Sequence, residues 1–296
     1  MNNRAVITSD QESQSTAGCW QAELSLGLAK TVRGTVLKTC RHRGPLYVQK
    51  AFYPEGRELA HLYLLHPPGG MVSGDDLQIS VTVADGAHAL ITTPGAGRVY
   101  RARPDRTLQQ QGINLQLHPN STLEWLPLEN IIYPGAYTRL NMDVHLAEES
   151  HFIGWEITCL GLKASGQPFD SGEMDQRLQI FRKGRLKVRE NLRLEEQQTV
   201  ANATAGLAGH SVNALLVAGP FDDAESVEVL LDGVRAECDG IRRPALAAVS
   251  LNAEFLQVRY LGDCSEEARL LFTRCWHRIR PELLQRSGCE PRIWAT

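Results

Sequence analysis

No C-x-x-C pair occurs in this chain, no apolar run approaches the roughly 18 residues that span a bilayer, and neither sign of charge prevails. The seven cysteines (Cys19, Cys40, Cys159, Cys238, Cys264, Cys275 and Cys289) are scattered and odd in number. That excludes a zinc knuckle and argues against a disulfide framework, so a reducing cytoplasm is the expected home. A formal net charge of -3 leaves no basic stripe for general nucleic-acid binding. Residues 1–18 are polar and lack the apolar core of an export signal; they read as a disordered lead-in. Catalytic templates are also missing: no G-x-S-x-G elbow, no H-E-x-x-H and no G-x-G-x-x-G after a strand.

What remains is an ordinary soluble composition, 43% hydrophobic and 22% charged over 296 residues, enough for a sizeable core. From Trp20 to about Leu194 apolar residues alternate with polar ones, the period of half-buried strands. Trp20, Ala22, Leu24, Leu26 and Leu28 begin the pattern, and Leu77, Ile79, Val81 and Val83 repeat it. The strands recur as a unit in which an alternating strand enters a short polar turn and a more apolar strand leaves. The turns are Asp85-Gly86, Pro119-Asn120, Glu148-Glu149 and Lys183-Gly184, roughly 30 to 35 residues apart. Such a period predicts stacked layers, as a β-solenoid or as a sandwich of similar hairpins.

After about Ala201 the texture changes. Val212 to Val217 is an apolar run broken at Gly219-Pro220, and Asp222 to Cys238 has helical spacing behind two acids. Leu246 to Leu251 and Phe255 to Leu261 read as strands. A second helix is expected from Ser265, as N-cap, to about Arg278, with Leu270, Leu271 and Trp276 on its apolar face and an interruption at Pro281. The tail ends in Pro291-Arg292-Ile293-Trp294, suited to docking on the core or to touching a partner. The expected fold class is mainly β, with stacked, solenoid-like layered sheets and two α-helices in the C-terminal third.

Two carboxylates stand out. Glu190 shares a strand face with Leu186, Val188, Leu192 and Leu194, because alternate residues point the same way. Glu156 sits in a strand that is apolar on both faces. A carboxylate turned inward needs a partner, water or a cation, and burial raises its pKa; a pair with an arginine and a working site both satisfy that demand. Glu124 to Glu129 lacks the spacing constraints of a glycosidase pair. Cys40 and His42 are two apart, His61 and His66 five apart, and the nine histidines form no cluster suited to a closed transition-metal site. Thr92-Thr93-Pro94-Gly95-Ala96-Gly97 is a glycine-rich turn leading to Arg98, Arg101 and Arg103. The densest feature is His66-Pro67-Pro68-Gly69-Gly70-Met71-Val72-Ser73-Gly74-Asp75-Asp76, a forced turn ending in acids. No lysine follows its glycines, which rules out a Walker A phosphate loop.

Taken together, His61 to Gly70 with Gly74-Asp75, Thr92 to Ala96 with Tyr100-Arg101, and Leu123 to Pro127 with Glu129 and Pro134-Gly135-Ala136 resemble one family. Gly154-Trp155-Glu156 with Cys159-Leu160-Gly161, Leu231 to Arg235 and Pro291 to Trp294 continue the match in the same order, across almost the whole chain from Trp20. The family is the urease accessory protein UreD, called UreH in some organisms. The resemblance implies one domain over residues 19–296, with a strand-rich body to residue 200 and a mixed part beyond. It implies a non-enzymatic chaperone that works with UreF and the GTPase UreG on the urease apoprotein, with no tightly bound cofactor. It further implies an internal polar route for transient Ni2+, with Asp75, Glu156 and Glu190 at matching positions and Thr92 as a lining group. Leu270, Leu271, Trp276 and Trp294 are the expected UreF contacts. Some relatives carry Ser or Thr where this chain has Gly97, so a lining hydroxyl is missing there. A solenoid hydrolase with paired carboxylates and a purely structural adaptor are the alternative readings.

Overall fold

The structure, a computed structural model, describes residues 6–9, 19–197, 199–222 and 224–295. Its first sheet contains β1 (Val6–Ser9), β2 (Gln21–Thr31), β3 (Gly34–Arg43), β6 (Asp76–Val83), β9 (Gln109–Leu117), β12 (Ala136–Leu146), β15 (Gly172–Arg182) and β16 (Arg185–Leu194), ordered β1-β3-β2-β6-β9-β12-β15-β16. The second contains β4 (Tyr47–Val48), β5 (Leu59–Leu65), β7 (His88–Thr92), β10 (Thr122–Trp125), β13 (His151–Leu162), β17 (Val212–Gly219), β18 (Leu246–Asn252) and β19 (Phe255–Gly262), ordered β18-β19-β17-β13-β10-β7-β5-β4. Short β8 (Gly97–Val99), β11 (Asn130–Ile132) and β14 (Gln167–Pro168) pair beside this path. The helices are α1 (Thr199–Asn202), α2 (Ala224–Asp239) and α3 (Ser265–Leu284). Among the described residues no helix is long and apolar enough to cross a membrane.

The repeating units are arches rather than hairpins. β6 and β7 are joined through Asp85-Gly86 yet lie in different sheets, and the same holds for β9 with β10 and β12 with β13. Successive arches stack in parallel, β2 on β6 on β9 on β12 on β15 in one sheet and β5 on β7 on β10 on β13 in the other. A parallel neighbour needs a long crossover, and here the strand in the opposite sheet supplies it. The turns stack as well: Gly86 N–H donates to Pro119 O, and Asn120 N–H to Glu148 O, each at 3.3 Å. Of the two layered readings, the solenoid is the one formed. The fourth unit departs, because β15 and β16 are antiparallel partners in one sheet and make a true hairpin.

Period-2 alternation fills the space between the sheets. Leu24, Ile79, Leu115 and Val144 from the first sheet and Leu62, Ile91, Leu123 and Phe152 from the second belong to one buried cluster. The opposite face of the second sheet (Leu90, Ile153, Trp155, Leu216, Val258) joins a second cluster with Leu271, Phe272 and Trp276 of α3. Removal of these side chains from water is the main stabilising term. The second sheet is thus covered on both faces, which is why β13 reads as apolar throughout. The mixed part beyond residue 201 adds β17, β18 and β19 to that same sheet.

Several local expectations are corrected. Of residues 1–18, Val6–Ser9 pair in parallel with β3; the rest of that stretch lies outside the described residues. Trp20 precedes β2 and is exposed. Leu186 is exposed because the β15–β16 register shifts at Ile180/Phe181, turning it off the face that holds Val188. The N-cap of α3 is Cys264, whose Sγ accepts from Glu267 N–H at 3.4 Å, rather than Ser265. Helix α3 also runs straight through Pro281 to Leu284.

Candidate functional site

Strand parity decides what each candidate can do. On β13, Phe152, Glu156 and Leu160 face the first sheet, whereas Ile153, Trp155, Ile157 and Cys159 face the helices. Glu156 therefore projects into the interlayer space. Burial pushes its carboxyl up to about 7, opposed by a hydrogen bond from Gln176. Gln176 in turn accepts from Thr158 Oγ1 at 2.9 Å. Among the described residues no cation pairs with Glu156, so it is an uncompensated acid inside the fold.

Glu156 lies where two interlayer cavities meet. One, of about 460 Å³, is also lined by Gln176, Glu190, Asn213 and Arg259. The other, of about 60 Å³, is a neck lined by Thr93, Gln111, Ile113, Asn130 and Met142. Thr93, Gln111, Pro127, Leu128 and Asn130 continue from the neck into a third cavity of about 480 Å³ beside His66, Gly69 and Arg98. Three separate cavities that share lining residues, several of them polar, thus lie one after another between the Pro-Pro-Gly-Gly turn and the β16 edge. His66 Nε2 is buried without a hydrogen-bond partner, and burial holds the imidazole below its usual pKa against the pull of Asp75.

The other expected route residues divide. Glu190 shares the 460 Å³ cavity with Glu156, but Arg259 grips it through a two-pronged contact, Nη1 to Oε2 at 2.9 Å and Nη2 to Oε1 at 2.6 Å. Asp75 is buried and holds backbone, accepting from Trp20 N–H at 2.6 Å and Val72 N–H at 2.8 Å. It lines none of the three cavities. Thr92 points to the helix side, where its hydroxyl donates to Leu126 O at 2.6 Å and accepts from Trp294 Nε1–H at 2.8 Å; Thr93 is the neighbour that faces the space. A Cβ at Gly97 would meet Asn130 Oδ1, so a side chain there would require the Asn130 amide to turn aside. The Asn130 amide is the polar lining at the position where a hydroxyl is missing.

The expected docking residues are mostly internal. Leu271 and Trp276 are fully buried in this chain, and Trp294 packs 5.7 Å from Trp155 and 6.2 Å from Trp276, ring centre to ring centre. Only Leu270 of that set is exposed. Cys40 is buried, and burial raises its thiol pKa against a backbone hydrogen bond from Val48. Among the described residues no three His, Cys, Asp or Glu side chains converge as a metal cage.

Sequence reasoning missed a buried ionic hub on the helix side. Glu124, between Leu123 and Trp125 of β10, has the parity opposite to its neighbours and is fully buried. It accepts from Trp276 Nε1–H at 2.7 Å and Arg280 Nε–H at 3.0 Å, and lies 2.9 Å from His88 Nε2. Arg280 also donates to Glu55 at 2.7 and 2.8 Å, and Glu55 lies 2.8 Å from His61 Nε2. Burial would raise the Glu55 carboxyl, but His61 and Arg280 outweigh it and hold the group at about 2. The available signal was a lone charge in an apolar strand, the same one that marked Glu156.

A family model described as "UreD urease accessory protein" matches residues 21–295. The chain is 52% identical over 286 residues to the protein named "Urease accessory protein UreD" from Marinomonas sp. (strain MWYL1), covering 95% of this chain and 91% of that one. It is 42% identical over 282 residues to the protein of the same name from Janthinobacterium sp. (strain Marseille), covering 93% and 92%. With the Methylobacillus flagellatus protein of that name the identity is 40% over 280 residues, covering 94% and 95%.

Proposed function

The chain belongs to the UreD family of urease accessory proteins, and from that premise we propose that it binds UreF, works with the GTPase UreG on apo-urease in the cytoplasm, and gives Ni2+ an internal route to the enzyme. Its role in urease maturation follows from the family; the route and the partners are our reading. The observation that carries the route is Glu156, a carboxylate without a counter-cation where two interlayer cavities meet. Oxygen and amide donors suit an ion in transit, because a cage of thiolates or imidazoles would hold it. Glu156 would take up the ion as it loses its proton, so binding should release up to one proton, with the release growing as pH falls below about 7.

A purely structural adaptor has support of its own, since Glu190 is held by Arg259 and Asp75 by backbone. The test is urease activation in a host carrying the full operon, with Glu156→Leu and Glu190→Ala variants of this chain and pull-down of the complex from the same cells. An assembled complex with nickel-poor, inactive urease supports the route. Normal nickel content and activity would leave the adaptor.

A further inference from the structure

Among the described residues lining the cavity that holds Glu156 and Glu190, Arg259 is the one cationic side chain. It projects from β19 of the second sheet, and Glu190 from β16 of the first, 69 residues apart in sequence. Their two-pronged contact therefore bridges the layers across the open edge of the interlayer space. Gln257 Oε1 steadies the guanidinium from the same strand, accepting from Nη2 at 2.9 Å. Half of the Arg259 side chain and about a third of that of Glu190 remain in solvent, so the pair is not locked into the core as Arg280 is.

We propose that the Arg259–Glu190 pair is a charge gate at this edge: a divalent cation gains Glu190 only when the guanidinium gives it up. This rests on the passage reading above and adds its regulation. Paired with the Arg259 guanidinium, the Glu190 carboxylate offers a cation no net charge, while the same carboxylate freed of Arg259 attracts one. Both oxygens of Glu190 are taken by Arg259 in this arrangement, so ion and guanidinium compete for one ligand. Any surface that offers Arg259 another acceptor, such as a carboxylate or backbone carbonyl of a docked partner, would open the edge without moving the sheets. Loss of the competing cation should strengthen uptake on the scale of a partly exposed ion pair, about 1.5- to fivefold.

The test is equilibrium dialysis of the purified full chain against nickel(II) alone at pH 8, comparing wild type with Arg259→Gln, Arg259→Lys, Glu156→Gln and the Arg259→Gln/Glu190→Gln double variant. Thermal melts verify that each is folded. The gate predicts tighter uptake by Arg259→Gln, an intermediate value for Arg259→Lys, and no gain in the double variant. Unchanged or weaker uptake by folded Arg259→Gln, or a gain that persists in the double variant, overturns it. If uptake also ignores Glu156→Gln, the passage reading falls with the gate; if Glu156→Gln weakens uptake while Arg259→Gln does nothing, the gate alone falls.

Discussion

Arg280 of α3 and Glu124 of β10 are both fully buried, their Nε and Oε2 atoms 3.0 Å apart across 156 residues of chain. The contact pins the long C-terminal helix to the second sheet. Deleting one partner strands the other's charge, a loss of about 3–5 kcal/mol. Arg280→Met should therefore unfold at markedly lower urea concentration than wild type. Trp294→Ala should cost less, about 2 kcal/mol, since that ring is only partly buried. Equilibrium melts of the two variants check the order.

Glu55 gives this hub an acid dependence. Its carboxyl is held at about 2 in the fold, below the ordinary value of 4.5. A depressed acid contributes stability that is present above its unfolded pKa and lost as pH falls through the folded one. Wild type should thus lose stability between about pH 4.5 and 2, and Glu55→Gln should show a shallower slope there in urea melts taken at each pH.

Glu156 works in the opposite sense. Its carboxyl is raised to about 7 by burial, so ionising it weakens the fold as pH climbs from about 4.5 through 7. Glu156→Gln should be more stable than wild type at pH 8, by ~3 kcal/mol at most. The difference should vanish below about pH 4.5. A residue that lowers stability while it is charged, yet is present in the fold, fits a functional demand on that position.

The Pro-Pro-Gly-Gly turn is constrained by contact as well as by backbone. A Cβ at Gly70 would meet Tyr100 Cε2 at 2.6 Å and Arg98 O at 2.9 Å. Gly70→Ala should destabilise by about 1–3 kcal/mol, read as a lower thermal midpoint. Leu270→Asp, on an exposed position, should leave the melt unchanged and reduce UreF capture in pull-downs.

The layered fold was legible because arches carry their pattern locally: alternation in each strand, and a turn after each. Which sheet a strand joins was not, since a hairpin and an arch have the same local sequence and only stacking tells them apart. Glu156 was legible as a carboxylate between apolar neighbours. Glu124 carries the same signal, but its partner Arg280 lies 156 residues away, just past Arg278, where the sequence pattern ends the helix. Leu271 and Trp276 looked available for a partner because an amphipathic helix reveals one apolar face without revealing what covers it. Here the second sheet does.

The central claim, that cations traverse the space between the sheets, is tested most directly at the neck. Ile113 lines that ~60 Å³ constriction and touches none of the proposed carboxylate ligands' hydrogen bonds. The nickel content of urease purified from cells expressing Ile113→Trp should be measured by elemental analysis alongside pull-down of the accessory complex. The account predicts an intact complex and urease lacking nickel. Fully loaded urease beside an intact, folded Ile113→Trp chain would contradict it.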